Sequence, residues 1–149
     1  MNAPITDAEA LKQRMAALFA DVKIPGVNMS IHDLSFEAGT VTLEFEVSNA
    51  AANQFGFVQG GMVATMLDGC IGMAGAIKSG GLLAMLCAEL KVSFVRPVPV
   101  GKLIGRGETL RLGRTLAFLE AGLYDEAGKL LARASATAAP IPFPDMPPA

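Results

Sequence analysis

One segment constrains this chain more than any other, and over residues 53–78 it reads N-Q-F-G-F-V-Q-G-G-M-V-A-T-M-L-D-G-C-I-G-M-A-G-A-I-K. From about Gly60 to Lys78 it is apolar on nearly every side, which predicts a buried helix with a sheet packed around it. The helix carries one carboxylate, Asp68, and a buried charge is costly unless it is paired or used. Its glycine-led start offers backbone N–H groups to a carbonyl oxygen or an anion. The segment therefore indicates a site that polarises a carbonyl group and attacks it.

The composition is that of a globular chain. Of its 149 residues, 52% are hydrophobic and 17% are charged, which suits one domain with a sizeable core. We assign residues 1–139 to a single domain and residues 140–149, five of which are proline, to a frayed tail. The surplus of apolar residues favours an oligomer interface.

Several function classes are disfavoured by what the sequence carries. The net charge of −2 argues against nucleic-acid binding, which needs a basic face. No apolar run free of polar groups reaches the ~18 residues of a membrane span. The first residues lack the order of a secretion signal. With only Cys70 and Cys87, we expect reduced thiols and a cytoplasmic protein.

Histidine is nearly absent, because His32 is the only one. Zinc sites built on several histidines are therefore excluded, and we expect neither a metal nor a cofactor. A Ser-His or Cys-His nucleophile pair would have to recruit His32, which we interpret as a structural or surface residue. Both cysteines are expected to behave as small hydrophobic residues.

The remaining pattern predicts an α+β fold. Thr6 and Glu9 form a capping box that opens a short helix ending near Phe19. Alternating apolar and polar residues predict strands at 27–36, 40–47, 84–95, 102–111, 115–124 and 129–138. An antiparallel sheet of these strands would wrap around the central helix. Its unpaired edges would be relieved by a second copy of the chain.

Glycines recur along the central helix at Gly69, Gly72 and Gly75. Each costs about 1 kcal/mol of helix stability relative to alanine. Close packing of another backbone against this stripe is the simplest explanation.

The pattern resembles the hotdog-fold thioesterases of the phenylacetate-degradation (PaaI) type. Their signature is Asn-x(5)-His-Gly-Gly-x(6)-Asp, and Asn53, Gly60, Gly61 and Asp68 keep its spacing. The segments V-S-F-V-R-P-V and G-R-T-L-A-F, with D-E-A-G-K-L-L-A after them, are also similar. The resemblance spans residues 27–139 and implies a hotdog fold and hydrolysis of acyl-coenzyme A.

The chain departs from the signature at Gln59, which replaces the histidine before Gly-Gly. Glutamine exchanges hydrogen bonds but cannot carry a proton near neutral pH. Hydratases and dehydratases of this fold, which need that histidine, are therefore poor models, whereas thioesterases that rely on the carboxylate tolerate the change.

The resemblance also implies roles for individual residues. Gly60 would be the oxyanion donor, with Asn53 as a supporting polar group. Gln59 would belong to the same catalytic site, and Gly61 would contact the substrate. Asp68 would be either base or nucleophile. A position that is often Ser or Thr and is thought to orient the water falls at about Cys87, and a thiol is a weaker hydrogen-bonding group than a hydroxyl. Thr65 could supply a hydroxyl instead, although a helical threonine more often bonds its own backbone.

Substrate contacts are expected at two further groups of residues. Arginines near strand ends would line the groove for the coenzyme phosphates; these are Arg96, Arg111 and Arg114. Apolar side chains around the helix start would line an adaptable acyl pocket; these are Phe55, Phe57, Val58, Met62 and Met66.

Helix geometry adds a constraint of its own. Gly60 and Asp68 are eight residues apart, or ~12 Å along one helix at 1.5 Å per residue. That separation is too large for both to act on one thioester. Two antiparallel copies would bring Gly60 of one chain to Asp68 of the other, so we expect a composite site, two per homodimer. We also expect these dimers to pair into a homotetramer, although the sequence leaves dimer and tetramer both open.

Two alternatives to the enzyme stay open at this point. Gln59 and Cys87 are compatible with a non-catalytic protein that binds or senses acyl-coenzyme A. In the other alternative, Asp68 is only a buried helix carboxylate satisfied by its neighbours.

Overall fold

The long apolar helix runs from Gly60 to Lys78 in the computed structural model, which describes residues 3–143. We call it α2. Gln59 precedes it in an extended conformation, and Ser79 follows it. Gly80 and Gly81 then adopt φ of 68° and 78°, left-handed values that favour glycine and turn the chain back. The hydroxyl of Ser79 accepts hydrogen bonds from the N–H groups of Leu82 and Leu83, which fixes the start of the next strand.

The other elements follow the predicted order. A short helix, α1, spans Ala8–Phe19, and a 3₁₀ turn spans Asn49–Ala51. The strands are β1 (Val27–Ser35), β2 (Thr40–Val47), β3 (Leu83–Phe94), β4 (Gly101–Leu112), β5 (Ala117–Tyr124) and β6 (Leu130–Pro142).

Six antiparallel strands form one sheet in the order β1-β2-β4-β5-β6-β3. The sheet wraps around α2, which packs against every strand. This is the predicted hotdog arrangement, and it is confirmed. The core lies between the helix and the inner face of the sheet; its fully buried side chains include Phe45, Leu67, Ile71, Leu103 and Leu119.

Glycines in β4 let the helix approach the sheet closely. A Cβ at Gly107 would collide with the backbone carbonyl of Cys70, and one at Gly105 would lie 2.5 Å from the Cys70 sulfur. The predicted glycine stripe of α2 behaves differently. Only Gly75 is packed, against the side chains of Met85 and Leu119. Gly69 and Gly72 meet nothing within 4 Å in the described part of the chain, so the expected backbone contact is wrong within one chain.

Two local predictions are also corrected. Asp7, not Thr6, caps α1, because its Oδ1 accepts from the N–H of Ala10 at 2.8 Å. The expected tail begins too early, since β6 continues to Pro142, which pairs with Leu83. Residues 144–149 of that tail lie outside the described residues.

The two margins of the sheet differ. β1 is flanked by α1, and Lys12 of α1 donates to the carbonyl of His32 at 3.4 Å. β3 pairs with β6 on one side only and is 12 residues long. Leu86 and Phe94 on this strand are 60% and 57% exposed. A long, apolar, uncovered edge is a place where another strand can add.

Candidate active site

The loop before α2 is held by Asn53. Its Oδ1 accepts hydrogen bonds from the N–H of Phe55 at 2.9 Å and of Phe57 at 3.2 Å. Its own N–H donates to the carbonyl of Phe57 at 2.7 Å. The loop is then tied to the fold, because Gln59 donates from its N–H to the carbonyl of Ala51 at 2.9 Å. The amide oxygen of Asn53 therefore braces the loop that sets the start of the helix.

The helix start presents donors that no other group uses. Within the described residues, the N–H groups of Gly60 and Gly61 make no hydrogen bond. Such groups carry the positive end of the helix dipole and bind oxygen ligands. The Gln59 carboxamide lies over Gly61, where an added Cβ would be 2.9 Å from its Oε1. A side chain at position 61 would therefore have to displace the end of the Gln59 side chain.

Phe94, at the end of β3, was not anticipated as part of this region. Its ring lies 3.5 Å from the position of a Cβ on Gly60, and more than half of the side chain is exposed. An apolar ring beside the two free N–H groups would keep water from them once a ligand is bound. The sequence offered little reason to assign Phe94 to the site, because a single exposed aromatic residue at the end of a strand is common.

Asp68 is exposed in the single chain, so its own fold does not bury this carboxylate, and burial by a second chain stays open. It lies with Gly61 and Thr65 on the one stripe of α2 that the sheet leaves open. The Thr65 hydroxyl donates to the carbonyl of Gly61 at 2.9 Å, which is the backbone bond expected of a helical threonine. Asp68 is thus the one ionisable group on this stripe.

An open cleft of about 360 Å³ lies between this stripe and β3. It is lined by Ala64, Thr65, Asp68, Cys87, Ala88, Glu89 and Leu90. Neither Gly60 nor Asn53 is among the described residues that line it. The structure therefore brings Asp68 and Cys87 together but keeps the helix start apart from them.

Cys87 reaches the cleft because β3 contains a bulge. The register shifts between Cys87 and Glu89, so Ala88 is an extra residue that changes which face later side chains take. The thiol donates to the carbonyl of Glu89 at 3.3 Å. Burial, followed by the negative charge of Asp68, raises the pKa of Cys87 above its ordinary value. This thiol is a neutral neighbour of the carboxylate rather than a nucleophile.

The expected acyl-pocket residues fall into two groups. Val58 and Met66 are 5% and 0% exposed and belong to the core, so that part of the prediction is wrong. Phe55 and Phe57 are 74% and 41% exposed, and Met62 is partly buried. These three remain accessible near the helix start.

The three arginines do not form a cluster within one chain. Arg96 donates to the carbonyl of Leu130 at 2.7 Å, and Leu130 pairs with Tyr124. Arg111 pairs with Phe118 at the other end of β5, and Arg114 lies in the turn beyond. Six residues of strand, or ~20 Å, separate the two groups. The predicted phosphate-binding cluster is therefore wrong for a single chain.

No group of three or more His, Cys, Asp or Glu side chains in residues 3–143 could hold a metal ion. Gly60–Lys78 is long and apolar enough to cross a membrane, and more than half of its residues are buried in the fold. Length and composition alone do not separate such a span from a core helix.

Known proteins are similar to this chain over most of its length. The sequence profile described as Thioesterase superfamily matches residues 55–132. The proofreading thioesterase EntH of Klebsiella pneumoniae is 32% identical over 93 residues, which is 62% of this chain and 68% of that protein. Human acyl-coenzyme A thioesterase 13 is 28% identical over 102 residues, covering 67% and 72%.

A solved structure extends the similarity to three dimensions. The phenylacetic acid degradation-related protein of Ralstonia eutropha superposes with a TM-score of 0.71 and 30% identity. The match covers 85% of this chain and 98% of that one.

Proposed function

This chain belongs to the thioesterase superfamily, and from that premise we propose that it hydrolyses acyl-coenzyme A to a free acid and coenzyme A. Thioester hydrolysis is the activity common to its relatives. One observation supports placing this activity on α2. The helix has an exposed carboxylate, Asp68, and N–H groups at its start, on Gly60 and Gly61, that make no hydrogen bond within the described residues.

The oxyanion donor, Gly60, and the carboxylate, Asp68, of one site come from different chains. Gly60 and Asp68 are separated by ~12 Å of the same helix, and Gly60 does not line the cleft of Asp68. A two-fold axis near Ala64, midway between them, would bring each Gly60 to the opposite Asp68. Ala64 and Leu90 line the same cleft, so this axis would also pass near Leu90 and pair the open β3 edges. The uncovered edge of β3 supports that arrangement.

Asp68 acts as the general base. Its cleft is open to water, and the Cys87 thiol beside it can orient a water molecule. Asp68 takes a proton as the water oxygen attacks the thioester carbonyl, and the Gly60 N–H stabilises the oxyanion that forms. When the C–S bond breaks, the coenzyme A thiolate leaves and takes the proton from Asp68.

Gln59 and Cys87 weaken the site without removing its essential parts. Glutamine still donates and accepts hydrogen bonds, and a thiol still donates weakly. Neither is required to carry the proton, because Asp68 does so. Arg96, Arg111 and Arg114 would contact coenzyme phosphates only where two chains meet. A cytoplasmic location and a dimer of dimers remain part of this proposal.

A thiol-release assay tests the function directly. We expect the purified chain to release coenzyme A from a panel of short, long and aromatic acyl-coenzyme A substrates. Asp68→Asn should lower the rate at least ~100-fold, the usual contribution of a general base. Glu108→Gln, an exposed carboxylate on β4, is the matched control and should not change the rate.

Two outcomes would overturn the proposal. Tight coenzyme A binding in calorimetry, with no hydrolysis of any substrate, would show a binding protein instead. Full activity in Asp68→Asn would remove this carboxylate from the mechanism while leaving the family assignment intact.

A further inference from the structure

A cavity away from Asp68 lies between α1 and β1. Its volume is about 450 Å³, within the ~300–1,000 Å³ typical of ligand sites. Its walls are mostly apolar and include Met15, Phe19, Ile24, Met29 and Met73. Methionine side chains adapt to the shape of an apolar ligand. The cavity can therefore accept a flexible hydrocarbon chain.

Two lysines stand in the wall of this cavity. Lys12 contacts the carbonyl of His32 at 3.4 Å, and Lys23 contacts the carbonyl of Ala20 at 3.3 Å. Neither ammonium group has a carboxylate partner within 4.0 Å among the described residues. No described acidic residue lines the cavity, whose other polar members are Asn28 and Ser30. The polar part of the wall consequently favours an anion.

The cavity is distinct from the Asp68 cleft. No residue lines both. Met73 follows Asp68 by five residues, and at ~100° per residue it points ~140° away around the helix. α2 itself stands between the two. A ligand in the α1–β1 cavity would leave Asp68 accessible.

We propose that the α1–β1 cavity binds a free medium-chain carboxylic acid. The hydrocarbon tail would lie among the methionines, and the carboxylate would replace the weak carbonyl contact of either Lys12 or Lys23 with a charge-assisted hydrogen bond. A cationic amphiphile would face two like charges, and an alcohol would gain no ion pair. The site does not depend on the hydrolytic activity, although such an acid is also the kind of product that hydrolysis would release.

Methionine methyl NMR tests this on the full-length protein. Decanoate, decanol and decyltrimethylammonium, each below its micelle concentration, would be titrated into protein labelled at the methionine methyl carbon. We expect decanoate to shift Met15, Met29 and Met73 saturably, decanol to do so at least tenfold more weakly, and decyltrimethylammonium not to shift them. Single Met→Leu substitutions would assign the signals.

Matched variants separate the contributions of charge and space. Lys12→Gln combined with Lys23→Gln should weaken decanoate binding at least tenfold, whereas Lys129→Gln, on the β5–β6 hairpin, should not. Ala16→Leu, which adds volume inside the cavity, should block binding. Ala17→Leu, on the same helix but outside the cavity wall, should leave it unchanged.

The proposal fails on the wild-type protein alone if the cationic amphiphile binds as tightly as decanoate. It also fails if decanoate shifts Met62 but none of the three cavity methionines, because that result places the acid at the helix start. Absence of any saturable shift would overturn it as well. None of these results would change the outcome of the thiol-release assay. Acid binding in the α1–β1 cavity and hydrolysis of acyl-coenzyme A can therefore be refuted independently.

Discussion

Asp68 and Cys87 face each other across the gap between α2 and β3, one on the open stripe of the helix and the other just before a bulge in the strand. Burial and the negative charge of Asp68 both raise the pKa of the thiol. The pair therefore consists of a charged Asp68 carboxylate beside a protonated Cys87 thiol. The reactivity of this thiol can be measured without any substrate.

Alkylation of Cys87 should report this pairing. Because its pKa is raised, the thiolate fraction at neutral pH is small and iodoacetamide should react more slowly than with a free cysteine. Asp68→Asn removes one of the charges that raise the pKa and should speed the reaction several-fold. Mass spectrometry of Cys87 over time measures the rate. Glu120→Gln is the control, and an equal acceleration there would contradict the pairing.

Gly60→Pro should remove the oxyanion donor without breaking the helix. Proline suits the first helical position, and Gln59 already has the extended conformation that must precede it, with ψ of 137°. We expect kcat to fall ~100- to 1,000-fold, measured by thiol release. Gly60→Ala keeps the N–H, and its Cβ fits at 3.5 Å from Phe94. Equal losses in both variants would exclude the N–H as the donor.

Mixing inactive variants should restore activity if the site spans two chains. Asp68→Ala and Gly60→Pro chains, denatured and refolded together, would form mixed dimers in which one of two sites has both native groups. About a quarter of wild-type activity should return for random pairing. Each variant refolded alone is the control. No recovery in a mixture shown to contain mixed dimers would place both groups within one chain.

Substitution by alanine at Gly72 and at Gly75, three residues apart on α2, should change the stability of the protein in opposite directions. An added Cβ on Gly72 meets nothing within 4 Å, so Gly72→Ala should stabilise the protein by up to ~1 kcal/mol through helix propensity. Gly75 packs against Met85 and Leu119, so Gly75→Ala should destabilise it by ~1–3 kcal/mol through overpacking. Urea unfolding gives both values. A loss of stability in Gly72→Ala would indicate that another chain packs there.

Stability should fall in alkaline solution because of Cys70. Burial raises its pKa from 9.0 to about 12. Between these two values the unfolded thiol ionises and the folded one does not, so the unfolded state binds fewer protons and the free energy of unfolding decreases as pH rises. At about pH 10.5 the loss is ~2 kcal/mol, from ~1.4 kcal/mol per pH unit. Urea unfolding at about pH 8 and 10.5 should show a smaller loss in Cys70→Ala.

The elements were predictable where one physical signal dominates. β2 matches its predicted range because strict alternation has only one interpretation, and α2 matches because a long apolar run between glycines forms a core helix. The bulge at Ala88 could not be predicted, since alternation continues through it in the sequence. Uninterrupted alternation would place Leu86 on the same face as Leu90, yet Leu86 is 60% exposed.

For the candidate site, the sequence singled out residues but not their surroundings. Asp68 and Cys87 line one cleft in the fold, and their catalytic roles stay a prediction. The exposure of Asp68 depends on where the sheet stops, which no local pattern encodes. The separation of Arg96 from Arg111 depends on strand direction, which places residues near in sequence at opposite ends of the sheet.

The unequal margins of the sheet bear on how far assembly can go. If two chains join through β3, the merged sheet ends in β1 on both sides, and α1 flanks β1 in each chain. Further strand addition would then have to begin at β1, beside α1, rather than at the β3 edge that the partner chain covers. A chain that lost α1 would keep Gly60 and Asp68 but would leave β1 without this neighbour, so the small helix would help to limit polymerisation.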